Sequence, residues 1–432
     1  MNSRTLPDWL NYLEQLHPTA IDMGLDRSRA VARNLGLGKP ATRVITVTGT
    51  NGKGSTCALL AALIREQGFK VGLYSSPHLL RYNERVSVNG SDASDAELCA
   101  AFAAVEAARG EISLTYFEMG TLAAFWLFER AGLDFVVLEV GLGGRLDAVN
   151  LVDADLALVT SIAVDHVEWL GSTRDSVAVE KAGIFRAGKP ALCGDSAPPV
   201  ILQQQADSLG APFLQRGLDF DLQVEAQHWH WQGRNVAGAP LSLRELPLLD
   251  LPMQNAALAL QAYALLDLPW EPVRLAKALR EAKVVGRLDR RTLSWQGKSL
   301  ALLLDVGHNP HAAQYLAERL QAWGGQRNAV FGLLSDKDLS GVIEPLLDRI
   351  GHWAVAPLHT PRSRPAAELE AALQARGASV TAHDSIVAAL EAQCTEAAVG
   401  AEILVFGSFF CVAEALEWLA SQRNATTHLN ES

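Results

Sequence analysis

A glycine-rich loop near the N-terminus is the segment whose residue types suggest chemistry most directly. Residues 49–55 read GTNGKGS and lie between a β-branched run at 44–47 and a helical pattern at 56–67. Its glycines let the backbone approach phosphate oxygens, the N–H groups of the following helix favour anions, and Lys53 adds a positive charge. A plain strand–helix turn is the alternative for such a loop. We predict a triphosphate site formed by Thr50, Asn51, Gly52, Lys53, Gly54 and Ser55.

Three further polar residues could take part in chemistry at the edge of a sheet. Glu139 ends a buried-strand pattern at 135–140, where a carboxylate can hold a hard cation. His166 follows a similar pattern at 156–162, and Lys181 lies in a helical segment. From their types alone, a solvated glutamate, a loop histidine and a solvated lysine are the simpler interpretations, because magnesium prefers oxygen ligands and lysines are mostly exposed.

The elements that must position these residues alternate between strands and helices. Strand patterns occur at 70–74, 135–140 and 156–162, and a helical pattern occupies 116–131. Such alternation predicts an α/β fold whose mostly parallel sheet is covered on both faces. From about 198 to 249, short alternating stretches around turn residues predict β-hairpin structure attached to the same domain.

A second, smaller unit is predicted after a polar, Arg-rich segment. New strand patterns follow that segment at 302–306, 330–334, 353–356 and 403–406. The expected organisation is a P-loop-type nucleotide-binding domain at 1–288, a linker at 289–297, a Rossmann-like domain at 298–425 and a frayed tail at 426–432.

Composition restricts the class of partner. The 432 residues include 37 Lys plus Arg against 48 Asp plus Glu, a formal charge of −11, and no basic stripe interrupts this balance. A nucleic-acid partner is therefore disfavoured. No apolar run approaches the ~20 residues of a membrane span, and the N-terminus lacks an export-signal pattern. The five cysteines show no CxxC spacing, which indicates a reducing compartment and no catalytic thiol. We expect a cytoplasmic monomer that handles small molecules.

Several ordered segments resemble one protein family. The loop departs from the Walker pattern, because Gly54 separates Lys53 from Ser55, and the form GTNGKGS instead resembles the ATP loop of Mur ligases. The segments YSSPHLLRYNERV, TYFE, LEVGLGGRLDAVN, SIAVDHVEWLG, EKAGIFR, DVGHNP and FGSF resemble the bifunctional folylpolyglutamate synthase/dihydrofolate synthase family. They follow in order to beyond Gly407, so the resemblance covers nearly the whole chain.

The resemblance implies an ATP-dependent ligase of folate biosynthesis. In that family ATP phosphorylates a substrate carboxylate, and the amino group of L-glutamate attacks the acyl phosphate. The implied substrates are dihydropteroate and reduced folates. A cell-wall Mur ligase is a rival enzyme, which the SSPHLLRYNERV and TYFE segments disfavour. A non-enzymatic nucleotide-binding regulator is the rival of another class.

The resemblance also implies roles for individual residues. Lys53, Lys181 and His166 are the implied catalytic group, and two Mg²⁺ ions would be held by Ser76, Glu139, His166 and Lys181, with Lys181 carbamylated and Asp165 supporting His166. ATP would further contact Asn255, Arg287 and Asp305, while a K⁺ ion is left open. Substrate contacts are implied for Asp22, Thr115, Tyr116, Phe117, Glu118, Leu146, Asp147, Ala148, His308 and Ser408.

Two segments have less support. After Ser408 the chain reads FFC, where relatives often have His and Thr, so the glutamate contacts of His308 and Ser408 are the weaker part of the resemblance.

The run His228, Trp229, His230 and Trp231 superficially resembles a metal cluster. Alternation of side chains along a strand is the interpretation we favour for it.

Overall fold

The computed structural model describes residues 4–430, and its contacts divide the chain into two compact units, Met1–Lys283 and Val284–Ser432. The boundary precedes the expected position at 288. The segment expected to be a linker at 289–297 instead contains the strand Asp289–Trp295 of the second unit. Only one face of this edge strand packs on the core, so exposed residues alternate along it. These polar, exposed positions explain why the sequence pattern predicted a linker. Of the expected tail, residues 426–430 continue a helix, and residues 431 and 432 lie outside the described range.

The first unit is built on an eight-stranded sheet with the order β4-β3-β2-β5-β1-β6-β7-β8. The strands are β1 Arg43–Thr48, β2 Val71–Tyr74, β3 Val86–Val88, β4 Ser91–Asp92, β5 Phe135–Glu139, β6 Leu156–Val159, β7 Ala191–Cys193 and β8 Phe213–Gln215. All neighbouring pairs are parallel except β2 with β3 and β3 with β4. The prediction of a mostly parallel sheet is confirmed.

Ten helices of the first unit are described. They are α1 Leu6–Glu14, α2 Asp26–Leu35, α3 Lys53–Glu66, α4 Asp95–Arg109, α5 Tyr116–Ala131, α6 Val167–Leu170, α7 Arg174–Ala182, α8 Val200–Leu209, α9 Met253–Ala264 and α10 Pro272–Glu281. Short 3-10 helices occupy Tyr82–Arg85 and Ala148–Leu151.

Local sequence explains the elements that matter most for a site. In β1 every residue after Arg43 is buried, as expected of a β-branched strand at the centre of a parallel sheet. Helix α3 begins directly after Gly52, whose φ of 86° ends the extended conformation. Helix α5 begins at a capping box in which the Thr115 hydroxyl accepts from the Glu118 N–H and the Glu118 carboxylate accepts from the Thr115 N–H.

A separate three-stranded antiparallel sheet packs on α9. Its strands are β9 Asp221–Val224, β10 His228–Arg234 and β11 Pro240–Pro247, with β10 in the centre. The predicted hairpin region is thus shorter than 198–249, because residues 200–209 form α8 and 213–215 join the main sheet. The Gln-rich start of that region fits a helix as well as it fits a loop.

Strand alternation explains the His–Trp run, as predicted. Trp229 and Trp231 are buried, while the imidazoles of His228 and His230 lie beside the Glu225 carboxylate at 3.0 and 3.1 Å. These three groups are close enough to hold a metal ion. However, Nδ1 of His230 accepts the N–H of Glu245 at 3.1 Å, which puts the ring proton on Nε2. Protonated Nε2 donates to Glu225 and has no lone pair for a metal.

The second unit has a six-stranded sheet with the order β12-β13-β17-β14-β15-β16. Its strands are β12 Asp289–Trp295, β13 Lys298–Asp305, β14 Arg327–Phe331, β15 Ile350–Val355, β16 Val380–Ala382 and β17 Glu402–Phe406. Only β12 is antiparallel to its neighbour. The helices are α11 Pro310–Trp323, α12 Leu339–Ile343, α13 Ala366–Gln374, α14 Ile386–Glu396 and α15 Phe409–Asn430, with a 3-10 helix at Glu344–Arg349. The expected smaller α/β domain is confirmed.

Within residues 4–430, no helix is both long and apolar enough to cross a bilayer.

The contact between the three-stranded sheet and α9 yields a stability prediction. Trp231 is 1% exposed, packs against Trp270 with ring centroids 5.5 Å apart, and donates its indole N–H to the carbonyl of Ala257 at 3.1 Å. We expect Trp231→Ala to lower the free energy of unfolding by about 3–5 kcal/mol, because it creates a cavity and removes the indole hydrogen bond to the helix. His228→Ala, on the exposed face of the same strand, should cost less than about 1 kcal/mol. Urea unfolding followed by circular dichroism measures both, and equal losses would contradict the alternation.

Candidate active site

The candidate active site lies at the carboxyl edge of the first unit's sheet. Strand β1 lies between β5 and β6, with Val47 opposite Glu139 and Thr48 opposite Val159. Strand β2 pairs with β5 in the same direction, with Tyr74 opposite Leu138. Because these four strands are parallel, the loops that leave them emerge at one edge. Three of those loops contain the predicted residues Gly52, Ser76 and His166, and Glu139 ends the fourth strand.

The glycine-rich loop is fastened to the loop that follows β6. The N–H of Thr50 donates to the carbonyl of Ser161 at 2.9 Å, and its hydroxyl donates to the carbonyl of Ala163 at 2.9 Å. The carbonyl of Asn51 accepts from the hydroxyls of Thr160 and Ser161 at 2.6 and 3.1 Å. The loop therefore has a fixed shape that does not depend on its own residues alone.

Two glycines of this loop stand where no side chain fits. Gly49 has a φ of 151°, and a Cβ there would overlap the Thr160 hydroxyl. Gly52 has a φ of 86°, and a Cβ there would lie 2.6 Å from the amide of Asn255. Asn255, at the start of α9, thus lies against the loop, and its contact with the nucleotide stays a prediction. In this conformation the N–H groups of the loop and the start of α3 lie at the edge of the sheet. Backbone N–H groups at the start of a helix bind anions such as phosphate.

Glu139 and Ser76, which were predicted as metal ligands, lie together beside the loop. The Glu139 carboxylate is 4% exposed and accepts the N–H of Ser76 at 3.0 Å. A Cβ on Gly54 would lie 3.5 Å from the same carboxylate, so Glu139 packs against the first turn of α3. A carboxylate and a hydroxyl of this kind are ligands that Mg²⁺ accepts, and the adjoining phosphate loop would supply the rest of its coordination. The residues present therefore fit a divalent cation.

Two lysines occupy the same edge. Lys53 donates through Nζ to the carbonyls of Gly49 and Thr50 at 3.0 and 3.3 Å. Lys181, near the end of α7, is 2% exposed. Burial, reinforced by the charge of Lys53, lowers the pKa of Lys181 to about 7, although Asp165 opposes this effect. Lys181 is therefore no ordinary solvated lysine.

His166 lies on the loop before α6 and has a left-handed backbone with φ 50°. Its side chain is 47% exposed, and Nε2 is 4.0 Å from Oδ2 of Asp165. The other oxygen of Asp165 accepts the N–H of His166 at 2.8 Å. Asp165 therefore contacts His166 through both the backbone and the side chain, and the role of this contact stays a prediction.

The predicted substrate residues of α5 connect to the N-terminal segment. Glu118 is 3% exposed, accepts from the Ser28 hydroxyl at 3.2 Å and pairs with Arg27 at 3.2 Å. Arg27 in turn pairs with Asp22 at 2.6 Å. Asp22 and the start of α5, which we expected to share a substrate, are therefore joined by Arg27, a residue that the sequence did not single out.

An aromatic wall lies beside this network. The ring of Phe117 is 6.1 Å from that of Tyr74, and a Cβ on Gly141 would lie 2.8 Å from Phe117 and 3.3 Å from the Asp147 carboxylate. Asp147 is buried and accepts the N–H groups of Leu142 and Val149, both at 2.9 Å. Its burial raises the pKa to about 6 despite those bonds. The predicted residues Leu146 and Ala148 flank Asp147, so a flat ring system with N–H donors would meet an aromatic face and an acceptor here.

Arg85 and His78 lie beside this wall without forming part of it, and the sequence analysis gave them no role. Nε of Arg85 donates to Nδ1 of His78 at 2.8 Å, and the guanidinium lies 5.5 Å from the Tyr116 ring. Burial, helped by the Arg85 charge, lowers the pKa of His78 to about 4. Both residues belong to the SSPHLLRYNERV segment. An arginine close in sequence to His78 and Tyr82 was the feature that could have indicated a role for Arg85.

The second unit holds the remaining predicted residues at the carboxyl edge of its own sheet. The buried Asp305 ends β13 and accepts the N–H groups of Leu288 and Gly307 at 3.0 and 2.8 Å. Arg287 lies 5.5 Å from the Phe409 ring, and the His308 ring lies 6.1 Å from it.

Ser408 stands two residues after β17, which runs parallel to β13 with Phe406 opposite Asp305. Its hydroxyl accepts the N–H of Phe410 at 3.1 Å. The structure therefore gathers Arg287, Asp305, His308 and Ser408 at one edge of the second unit.

Comparison with protein families supports the division into two ligase domains. Residues 47–193 match the Mur ligase middle domain, and residues 286–409 match the glutamate ligase domain of Mur ligases.

Curated relatives match the chain along nearly its whole length. The dihydrofolate synthase/folylpolyglutamate synthase of Escherichia coli K12 is 44% identical, with 97% of this chain and 96% of the relative covered. The Haemophilus influenzae protein of the same name is 42% identical, with 95% and 96% covered.

Solved structures agree with the sequence relatives. E. coli FolC in complex with DHPP and ADP has a TM-score of 0.90 at 43% identity, covering 98% of this chain and 99% of that one. The Yersinia pestis bifunctional enzyme complexed with AMPPNP and Mn ion has a TM-score of 0.88 at 44% identity, covering 97% and 98%. The chain belongs to the dihydrofolate synthase/folylpolyglutamate synthase family, whose members are ATP-dependent ligases with Mur ligase domains.

Proposed function

We propose that this protein joins L-glutamate to 7,8-dihydropteroate and to reduced folates at the expense of ATP. The observation that supports this most strongly is one sheet edge at which a phosphate loop, the Glu139–Ser76 pair and buried Lys181 adjoin an aromatic wall. Similar proteins bind the corresponding ligands, since structures of relatives contain DHPP with ADP, and AMPPNP with Mn and L-glutamate.

The proposed chemistry follows from the low reactivity of a carboxylate. Its negative charge and resonance repel an amine, so a carboxylate oxygen first attacks the γ-phosphorus of ATP, and the bond from that phosphorus to the bridging oxygen breaks to release ADP. The glutamate nitrogen then attacks the acyl carbon, and phosphate leaves as the nitrogen loses a proton. Lys53 and the N–H groups at the start of α3 stabilise the phosphate charge during transfer.

The proposed metal ligands are Ser76, Glu139, His166 and the modified Lys181, which together would hold two Mg²⁺ ions. Bound magnesium neutralises phosphate charge and orients the γ-phosphate. Glu139 is held in place by the Ser76 N–H, and Asp165 holds His166 through its backbone. A requirement for K⁺ is a separate question that activity in K⁺ and Na⁺ buffers would decide.

A carbamate on Lys181 suits the burial of this side chain. An ammonium there would repel a nearby cation, whereas a carbamate presents anionic oxygens to it. Carbamylation requires a neutral amine, because the nitrogen lone pair attacks CO₂ and a proton then leaves. With its pKa lowered to about 7, Lys181 is largely neutral slightly above pH 7, unlike a solvated lysine.

The remaining assignments concern ATP, the pterin and glutamate. Asn255, Arg287 and Asp305 are proposed to contact ATP, and His308 and Ser408 to receive glutamate. The pterin is proposed to bind among Asp22, Thr115, Tyr116, Phe117, Glu118, Leu146, Asp147 and Ala148. We further propose that the protein is a cytoplasmic monomer. The five free cysteines support the compartment, because a reducing environment keeps thiols unpaired.

A direct assay tests the proposed function. Incubation with ATP, magnesium and L-glutamate should release phosphate when dihydropteroate or monoglutamyl tetrahydrofolate is added, and mass spectrometry should detect one added glutamyl group. A uridine-linked muramyl acceptor is the control for a cell-wall ligase. Phosphate release with that acceptor alone would overturn the folate assignment, and activity on reduced folates alone would reject the dihydrofolate synthase activity.

The fixed shape of the phosphate loop gives a second prediction. Gly49→Ala should weaken binding of a non-hydrolysable ATP analogue by at least about tenfold, because the methyl group displaces the Thr160 hydroxyl that holds the loop. Gly68 is the matched control, since it has a φ of 90° just after the other end of α3 but no atom within 4 Å of a Cβ. Gly68→Ala should leave affinity within about twofold while costing about 1 kcal/mol of stability. Calorimetric titration measures the affinities, and unchanged binding by Gly49→Ala would contradict the loop's role.

The carbamate predicts chemical rescue at position 181. Lys181→Ala should reduce kcat by more than about a hundredfold, and acetate or formate should restore part of it by placing a carboxylate where the carbamate stood. Lys189→Ala, at a half-exposed lysine paired with Asp155, should behave as wild type with and without acetate. Full activity of Lys181→Ala would remove Lys181 from the mechanism, and loss without rescue would argue against the carbamate.

A further inference from the structure

Arg85 is a buried cation that none of the proposed roles uses. It is 9% exposed and stands where a 3-10 helix meets β3. Its carbonyl accepts the N–H of Ser75 at 3.0 Å, next to the proposed metal ligand Ser76. The backbone of Arg85 is therefore anchored one residue away from the site at which the reacting carboxylate is proposed to be activated.

The guanidinium of Arg85 is held by neutral groups. Nε donates to Nδ1 of His78 at 2.8 Å, so that nitrogen carries no proton. The rings of Tyr82 and Tyr116 lie 5.3 and 5.5 Å from its central carbon. Among the described residues, Arg85 forms no ion pair with a carboxylate, and its two terminal nitrogens have no hydrogen-bond acceptor.

The two terminal nitrogens of Arg85 have no acceptor among the described residues but are not cut off from solvent, so a ligand can reach them. The aromatic contacts hold the guanidinium in place without neutralising its charge. The two terminal nitrogens form a planar fork that matches a carboxylate through two parallel hydrogen bonds. An anionic ligand that reaches these two nitrogens would therefore bind to Arg85 through charge-assisted hydrogen bonds.

The two proposed substrates differ in the number of carboxylates. Dihydropteroate has one, which is consumed in the reaction. A folate ends in glutamate and has two, so one carboxylate remains charged while the other is activated. That second carboxylate needs a cation close to the metal site yet separate from it. Arg85 is next to Ser75 through its backbone and next to Tyr116 through its side chain, which places it beside both the activation site and the aromatic wall.

We propose that Arg85 binds the non-reacting carboxylate of glutamylated folates and so determines specificity between the two substrates. This inference rests on the proposed function. Its consequence is that the second activity, addition of glutamate to folates, depends on Arg85, whereas formation of dihydrofolate does not.

Steady-state kinetics of Arg85→Gln with both substrates tests this inference. We expect KM for monoglutamyl tetrahydrofolate to rise by at least about tenfold, because a charge-assisted bidentate contact is lost. KM and kcat for dihydropteroate should stay within about twofold, which also shows that the variant is folded. Arg85→Lys should recover only part of the loss, since an ammonium lacks the planar fork.

Arg81→Gln is the matched control. Arg81 belongs to the same segment, is exposed and pairs with Asp95 at 2.9 Å, so its removal should alter neither KM. Equal changes in both KM values for Arg85→Gln would overturn the inference, as would an unchanged KM for the folate. A variant too unstable to turn over dihydropteroate would also overturn it, because the role of Arg85 would then be structural. Absence of both activities in the wild-type protein would instead defeat the proposed function.

Discussion

The dominant physical constraint on this protein is the concentration of charge at one buried sheet edge. A chain of net charge −11 must hold a polyanion beside the carboxylates of Glu139 and Asp147, which are themselves almost inaccessible to water. Backbone N–H groups and Lys53 supply positive potential without disturbing the acidic exterior. The glycine-rich loop must therefore keep one shape, and the hydroxyls of Thr160 and Ser161 hold it there.

The same constraint accounts for the unusual lysine. Lys53 and Lys181 interact closely enough for the charge of one to lower the pKa of the other. Two ammonium groups at one buried edge oppose each other, and the proposed carbamate on Lys181 would relieve that repulsion. Lys181 is buried in α7, and this burial favours the neutral amine that the proposed carbamylation would require.

The sequence predicted the parts of the structure that depend on local chemistry. Gly49, Gly52 and Lys53 form a loop whose strand and helix follow from residue patterns, and the resemblance along the chain agrees with the family that the comparisons identify. The domain boundary and the extent of the hairpin region were placed wrongly, because a polar edge strand and a Gln-rich helix both look like loops when only hydrophobicity is read. The roles of individual site residues stay predictions.

Arg27 and Arg85 show why the rest could not be read from the chain. Neither arginine differs from the others in the sequence. Arg27 is distinguished by a partner far away in the chain, Glu118, and Arg85 by the lack of a carboxylate partner among the described residues. Arg27 joins Asp22 to Glu118 and is paired with both carboxylates of the protein, so its role is to hold these two residues together. Arg85 is held by His78 and two aromatic rings, and its two terminal nitrogens have no acceptor among the described residues. Under the proposal above, a substrate with two carboxylates gains a charge-assisted contact with Arg85 that a substrate with a single carboxylate does not.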